Sequence, residues 1–305
     1  MRYSVFVFCF SALLSVLFTP VSIRAAHIIG AIDMPDGGRH RHALPTPRLG
    51  GLALIFAALL TSLFFPIDAV TGTWLSGGTL LAALGASDDL YSLSPRTKLL
   101  ALTAVATLPI AFEMAPESIG IGALSFPLPH PLGNILTILW VLLLTNAINL
   151  IDGMDALAPS LSLLGALSLF LLFGGREPLI LMGALLGFLP YNRPALSPLS
   201  SRKIPTRAFL GDTGTLFIGY SLAVLSLGDG HFSLAAPLLF AFPILDTLRV
   251  FIRRLLRRQN PFRADRSHIH HILTDRGLSR GEILLFAYLC TAFFTLLAFL
   301  LAGTL

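Results

Sequence analysis

Residues Leu80 to Lys98 read LLAALGASDDLYSLSPRTK: an apolar run stops, and Asp88 and Asp89 follow one another with nothing between them. Only 12% of the 305 residues are charged, so two adjacent like charges at that point need a reason. The run before them is one of many. With 55% hydrophobic residues and a mean hydropathy of +0.81, the chain is far more apolar than a soluble domain. Its runs approach the ~20 residues that cross a bilayer as helix. Backbone groups find no water in hydrocarbon, so such spans should be helical. The runs do not alternate polar and apolar residues, which argues against a β-barrel. The fold class expected is all-α: one polytopic integral membrane domain over residues 1–305.

Ten spans fit the pattern, at approximately 4–23, 49–66, 74–87, 97–112, 134–150, 157–173, 178–190, 212–228, 232–252 and 283–303. The N-terminal run could be a cleaved signal peptide. However, Arg24, Arg39, Arg41 and Arg48 follow it against Arg2 alone before it, a bias that favours an uncleaved first span with its N-terminus outside. The inner loops are then 24–48, 88–96, 151–156, 191–211 and 253–282, and with their adjoining helix ends they hold 19 of the 21 Lys and Arg residues. Acids need not follow that topological rule, yet eleven of them share the inner side, as do six of the eight histidines. The chemistry gathers on one face. Cys9 and Cys290 lie in separate apolar runs, in neither a zinc-type nor a disulfide pattern. No nucleic-acid partner is expected.

Four acid- or base-rich segments carry the functional argument. Asp88 and Asp89 fit a solvated helix end, but carboxylates are unfavourable at a helix C-terminus and repel each other unless a cation or a shared proton intervenes. Mg²⁺ takes one or two carboxylates together with phosphate oxygens. NAINLIDGMDALA (146–158) spaces Asn146 from Asn149, and Asp152 from Asp155, by three residues, so each pair can share a helix face; either acid could also cap the next helix. In AFLGDTGTLFIGY (208–220), Asp212 is an N-cap or a metal or phosphate ligand beside Gly211 and Gly214. PFRADRSHIHHIL (261–273) sets His268, His270 and His271 with Arg263 and Arg266 after a basic run. It lacks the HExxH pattern or a cysteine partner expected of zinc, and paired arginines and histidines suit pyrophosphate. A further inner loop, DMPDGGRHRHALPTPRLGG (33–51), is Pro- and Gly-rich, with Arg39, His40, Arg41 and His42.

In this order and spacing the segments resemble the polyprenyl-phosphate N-acetylhexosamine-1-phosphate transferases over about residues 33–273. The ADRSHIHH ending is more similar to the GlcNAc-1-phosphate branch than to the phospho-muramoyl-pentapeptide branch. The resemblance implies ten or eleven membrane helices and an active site facing the cytoplasm of the bacterial inner membrane. It implies HexNAc-1-phosphate transfer from a UDP-N-acetylhexosamine to undecaprenyl phosphate, releasing UMP, with Mg²⁺ (or Mn²⁺ in its place). The lipid-linked sugar would start a cell-envelope polysaccharide, and a homodimer is the oligomer to test. Carried over by motif, the resemblance implies that Asp88, Asp89, His268, His270 and His271 are catalytic, that Asp212 is the metal ligand, and that Asn149, Asp152, Asp155, Asn192 (in PYNRPA) and Arg266 bind substrate. The chain departs from the family's pattern at Ala156, where DGxDGL has Gly, at Arg39-His40, where Arg-Lys is frequent, and in an additional LSPLSSRKIPT segment (196–206).

Two rivals remain. A secondary transporter would place its coupling acids near the bilayer midplane, and only Asp246 in AFPILDTLRV falls within a span, where an acid is a functional candidate. A lipid-binding scaffold would account for the arginines and leave the acids unexplained.

Overall fold

The computed structural model describes residues 2–34, 45–192, 207–228, 230–259 and 267–303. The first apolar run forms α1 (Arg2–Ile29), and strand β1 (Ile32–Asp33) then pairs antiparallel with β2 (Thr46–Pro47). Next come α2 (Gly51–Ser62), α3 (Ala69–Tyr91), α4 (Pro95–Val105), the short α5 (Leu108–Ala111) and the hairpin β3 (Ser118–Ile121) and β4 (Leu124–Pro127). The middle of the chain is α6 (His130–Ile151), α7 (Leu157–Phe173), α8 (Glu177–Asn192) and α9 (Gly211–Leu225). Strand β5 (His231–Ser233), α10 (Ala236–Leu239), α11 (Ala241–Leu256), α12 (Ile269–Asp275) and α13 (Arg280–Ala302) follow.

Each expected span overlies a helix or a broken pair of helices. The fourth divides into α4 and α5 and the ninth into α10 and α11, with Pro109 and Pro237 in the first turn of α5 and α10. Proline has no N–H to continue a preceding helix and fits a first turn. By length and composition, α1, α6 and α13 can each cross a bilayer alone, while α2 and α7 are shorter apolar helices. The chain is a polytopic all-α membrane protein.

Its centre is α9, whose side chains from Thr213 to Leu225 are all buried. A helix apolar on every side belongs inside a bundle, and α3, α6 and α2 surround this one. Small residues let backbones approach where lipid supplies no hydrophobic drive between helices. On α8, Gly183 and Gly187 leave no room for a Cβ against the backbone of α1. The buried indoles of Trp74 and Trp140 donate to Ser221 Oγ (2.7 Å) and Ser226 Oγ (2.9 Å), so neither N–H is stranded in the core.

The two ends of the bundle differ. At one, Arg176 binds Asp68 (2.8 Å), Glu177 (2.9 Å) and the Pro66 carbonyl (2.6 Å), and a small sheet runs β4-β3-β5, with β3 and β5 parallel. At the other, the C-terminal ends of α3, α6 and α8 meet the N-terminal ends of α2, α4 and α9. The site lies there.

Candidate active site

The backbone sets the frame first. Phe209 N donates to Pro47 O (2.8 Å), Gly50 N to Phe209 O and Gly51 N to Leu210 O (both 3.0 Å), so PTPRLGG and AFLGD form one seam. Gly211 turns out of that seam into α9 with φ +66, and a Cβ there would collide with Arg48 O and the Asp89 carboxylate. Gly85 brings α3 so close that a Cβ would strike the Asp212 backbone.

The sequence pattern ends the third helix before Asp88; in the fold α3 continues one turn further, to Tyr91. Asp88 sustains that turn, because its Oδ1 accepts from Leu93 N (2.7 Å) beyond the left-handed Ser92. Adjacent on a helix, Asp88 and Asp89 point about 100° apart and do different things. Asp89 reaches across to α9 and accepts from Asp212 N (3.0 Å), Thr213 N (3.0 Å) and Thr213 Oγ1 (2.8 Å). It caps the N-terminus of a neighbouring helix. Asp88 Oδ2 instead shares the Lys98 ammonium (3.0 Å) with Asp212, whose Oδ2 forms the other half of a close ion pair. Asn149 Nδ2 fixes the remaining Asp212 oxygen (3.0 Å) and also donates to Thr215 Oγ1 (2.7 Å).

These carboxylates lie in the terminal turns of their helices, in a site overloaded with negative charge. Burial pushes Asp89 up to about 6 against the pull of its Thr213 N–H bond, with the Asp212 charge adding to the rise. Burial also raises Asp88, assisted by its hydrogen bond with Asp212 and opposed by Lys98. Asp152 stands well above the usual carboxylate range because of burial and then the charges of Asp212, Asp155 and Asp89. Among the described residues its carboxylate accepts no hydrogen bond. The donor set suits a hard divalent cation. Asp88 and Asp212 would supply its protein oxygens, and no group of three His, Cys, Asp or Glu side chains among the described residues could hold an ion without phosphate or water.

The other expected site residues surround this centre. Both oxygens of the buried Asp155 are taken, by Arg207 (2.5 Å) and Arg280 (2.7 Å). Asn192 accepts from Ala156 N (2.7 Å) and donates to Ala208 O (2.9 Å), which ties the DGMDA turn to the AFLGD seam. Ala156 is left-handed, φ +65. His268 Nδ1 lies 2.8 Å from Asp246 Oδ2, and Asp246 Oδ1 accepts from Arg249 and Ile269 N. The His268 and His270 rings are nearly parallel at 6.1 Å, His271 lies 4.2 Å from His270, and His270 abuts Gly153. The histidines thus rest on the turn that carries Asp152. Arg266 and Arg263, the 39–42 basic run and the 196–206 segment lie outside the described residues.

Lys98, Arg207 and Arg280 pair with carboxylates of the site, contacts that no motif assigned to them. Lys98 had a signal: it is one of only two lysines in a chain with nineteen arginines. Arg280 had none, because only the packing of α13 brings it to Asp155.

A membrane bundle whose helix ends gather carboxylates, a lysine and histidines on one side is the frame of a membrane-embedded transferase for phosphorylated substrates. The chain belongs to glycosyl transferase family 4, which matches residues 71–228. It is 35% identical to the probable undecaprenyl-phosphate N-acetylglucosaminyl 1-phosphate transferase of Bacillus subtilis, over 96% of this chain and 84% of that protein. The undecaprenyl-phosphate alpha-N-acetylglucosaminyl 1-phosphate transferases of Thermotoga maritima and Escherichia coli are 30% and 27% identical, over 94% and 92% of this chain and 87% and 79% of theirs.

Proposed function

We propose that the chain transfers GlcNAc-1-phosphate from UDP-GlcNAc to undecaprenyl phosphate at the cytoplasmic face of the bacterial inner membrane, with Mg²⁺ as cofactor and UMP as the second product. The observation that carries this is the convergence of Asp88, Asp212 and Lys98 at one end of the bundle, fixed by Asn149 and Asp89. A transporter would want its acids midway through the membrane.

An oxygen of the lipid phosphate attacks the sugar-bearing phosphorus, forming the new P–O–P bond while the P–O bond to UMP breaks. Both partners are anions, so the barrier is largely electrostatic. When bound, Mg²⁺ neutralises phosphate oxygens in the transition state; Asp88 and Asp212 are the residues that would hold it. Lys98 adds a fixed positive charge at the same point. Asp152 stands near Asp212 with no hydrogen bond to its carboxylate, and in its ionised form it accepts the proton that the lipid phosphate still carries. Asp89 is a positioning residue: it holds the first turn of α9, and with it Asp212. Asp246 orients His268, and His268, His270 and His271 are assigned to the diphosphate; Arg266 joins them by motif alone. Asp155 and Asn192 act through the turn they hold.

Purified protein with undecaprenyl phosphate, Mg²⁺ and a panel of UDP-N-acetylhexosamines should release UMP with UDP-GlcNAc and fail with most of the others. No release with any donor would overturn the proposal. Asp212→Asn should cost about 1000-fold in turnover, the scale of losing a cation ligand, and near-normal turnover would remove Asp212 from its role.

A further inference from the structure

Helix α11 changes character halfway along. From Ala241 to Val250 much of it is buried; beyond Val250 only Arg254 is. Leu248, Phe251, Ile252, Leu255 and Leu256 form one outward arc, with Leu256 81% exposed. Along the flank of that arc Arg249, Arg253 and Arg257 recur every fourth residue, a stripe about 12 Å long. Between stripe and arc runs a groove of about 420 Å³, lined by Arg249, Ile252, Arg253, Leu256 and Arg257. Arg249 is committed to Asp246 and to the Ser267 carbonyl. Arg253 and Arg257 have no acidic partner among the described residues, and no carboxylate follows Asp246 in the helix.

Water around this segment would leave Leu255 and Leu256 exposed, and hydrocarbon around it would strand the guanidinium groups. The boundary between acyl chains and headgroups satisfies both. Among the described residues no carboxylate, histidine or amide lines the groove, so a phosphate seated there meets none of the groups that would activate it. That suits a resident lipid rather than a substrate.

We propose that this groove binds an anionic phospholipid, its phosphate between Arg253 and Arg257 and an acyl chain along Ile252 and Leu256. Placing it in the inner leaflet rests on the orientation given under Proposed function; the binding itself does not.

The test uses the full chain in nanodiscs, with spin-labelled phosphatidylglycerol or phosphatidylcholine, and reads the immobilised fraction by electron paramagnetic resonance. The wild type should prefer phosphatidylglycerol at least about fivefold, the scale of one basic residue at an anionic surface. R253Q/R257Q should lose the preference, while R253K/R257K and the control R24Q keep it. The proposal is overturned if R253Q/R257Q retains the preference, if R24Q loses as much, or if equimolar undecaprenyl phosphate displaces the labelled phosphatidylglycerol. UMP release from the same samples is read separately, so an inactive wild type that still selects phosphatidylglycerol would sink the reaction and leave the groove.

Discussion

Gly85→Ala is the sharpest probe of how the site is assembled. Gly85 lies one helical turn before Asp88 and Asp89, and an added Cβ meets the main chain of Asp212 and Thr213 rather than a side chain that could swing aside. The helices must part by about 1 Å to regain the ~3.5 Å of ordinary carbon contact. Overpacking of this kind costs about 1–3 kcal/mol, which lowers the thermal midpoint of a chain this size by about 2–6 °C. The catalytic loss should be far larger in proportion. The same separation pulls Asp88 from Asp212, across the lysine they share, and Asp89 from the N–H groups it caps, and a displacement of about 1 Å at a reacting centre is worth about 100-fold. Gly78→Ala is the matched control: seven residues earlier on α3, its Cβ would sit 2.9 Å from the Phe217 ring, well away from the carboxylates. Both variants should melt early, and only Gly85→Ala should lose about 100-fold in UMP release measured well below the midpoint. Turnover of Gly85→Ala within about threefold of wild type, or an equal loss in Gly78→Ala, would refute the link between α3–α9 packing and the site.

Lys98→Gln takes the ammonium from between Asp88 and Asp212, and kcat/KM should fall by at least about 100-fold; a loss confined to stability would assign Lys98 to folding alone. Ala156→Gly relieves a left-handed residue, so the midpoint should rise by about 1–2 °C, for about 0.5–1 kcal/mol, with turnover unchanged; a lower midpoint would mean the methyl is needed for packing. The raised carboxylates also set a pH dependence. Asp89 moves from 3.8 to about 6 on folding, so the fold favours its protonated form: that stabilisation is complete below 3.8 and lost as pH rises through about 6. A cation relieves the ionised cluster, so Mg²⁺ should raise the midpoint more at pH 8 than at pH 5, and equal shifts would count against a cation at these carboxylates.

Much of this was legible because membranes constrain sequence strongly. Hydrocarbon permits only closed hydrogen bonding, so apolar runs mark the helices, and the arginine bias aligns their ends. Breaks inside runs were legible only in kind: Gly and Pro interruptions suggest broken helices, but the place where α4 gives way to α5, next to Pro109, comes from the fold. The side on which the acids gather follows from topology, but their partners do not. Asn149 looks like a ligand for a nucleotide, yet its amide N–H groups go to Asp212 and Thr215. Asn192 and Asp155 are likewise consumed in holding the DGMDA turn. Polar residues crowded at a membrane boundary therefore sort into two kinds. Some meet substrate and others hold those that do, and composition cannot separate them because both are polar for the same reason.

Asp88 and Asp89 show the division at its smallest scale. They are chemically identical and adjacent, but about 100° of helical rotation aims one at a lysine shared with Asp212 and the other at the N–H groups that begin α9. The repulsion between neighbours is thus met by two separate sources of positive charge, an ammonium and a helix N-terminus. A pair built this way needs both helices in register. That is why a single methyl at Gly85, which touches neither carboxylate, should be as damaging to turnover as many substitutions within the site.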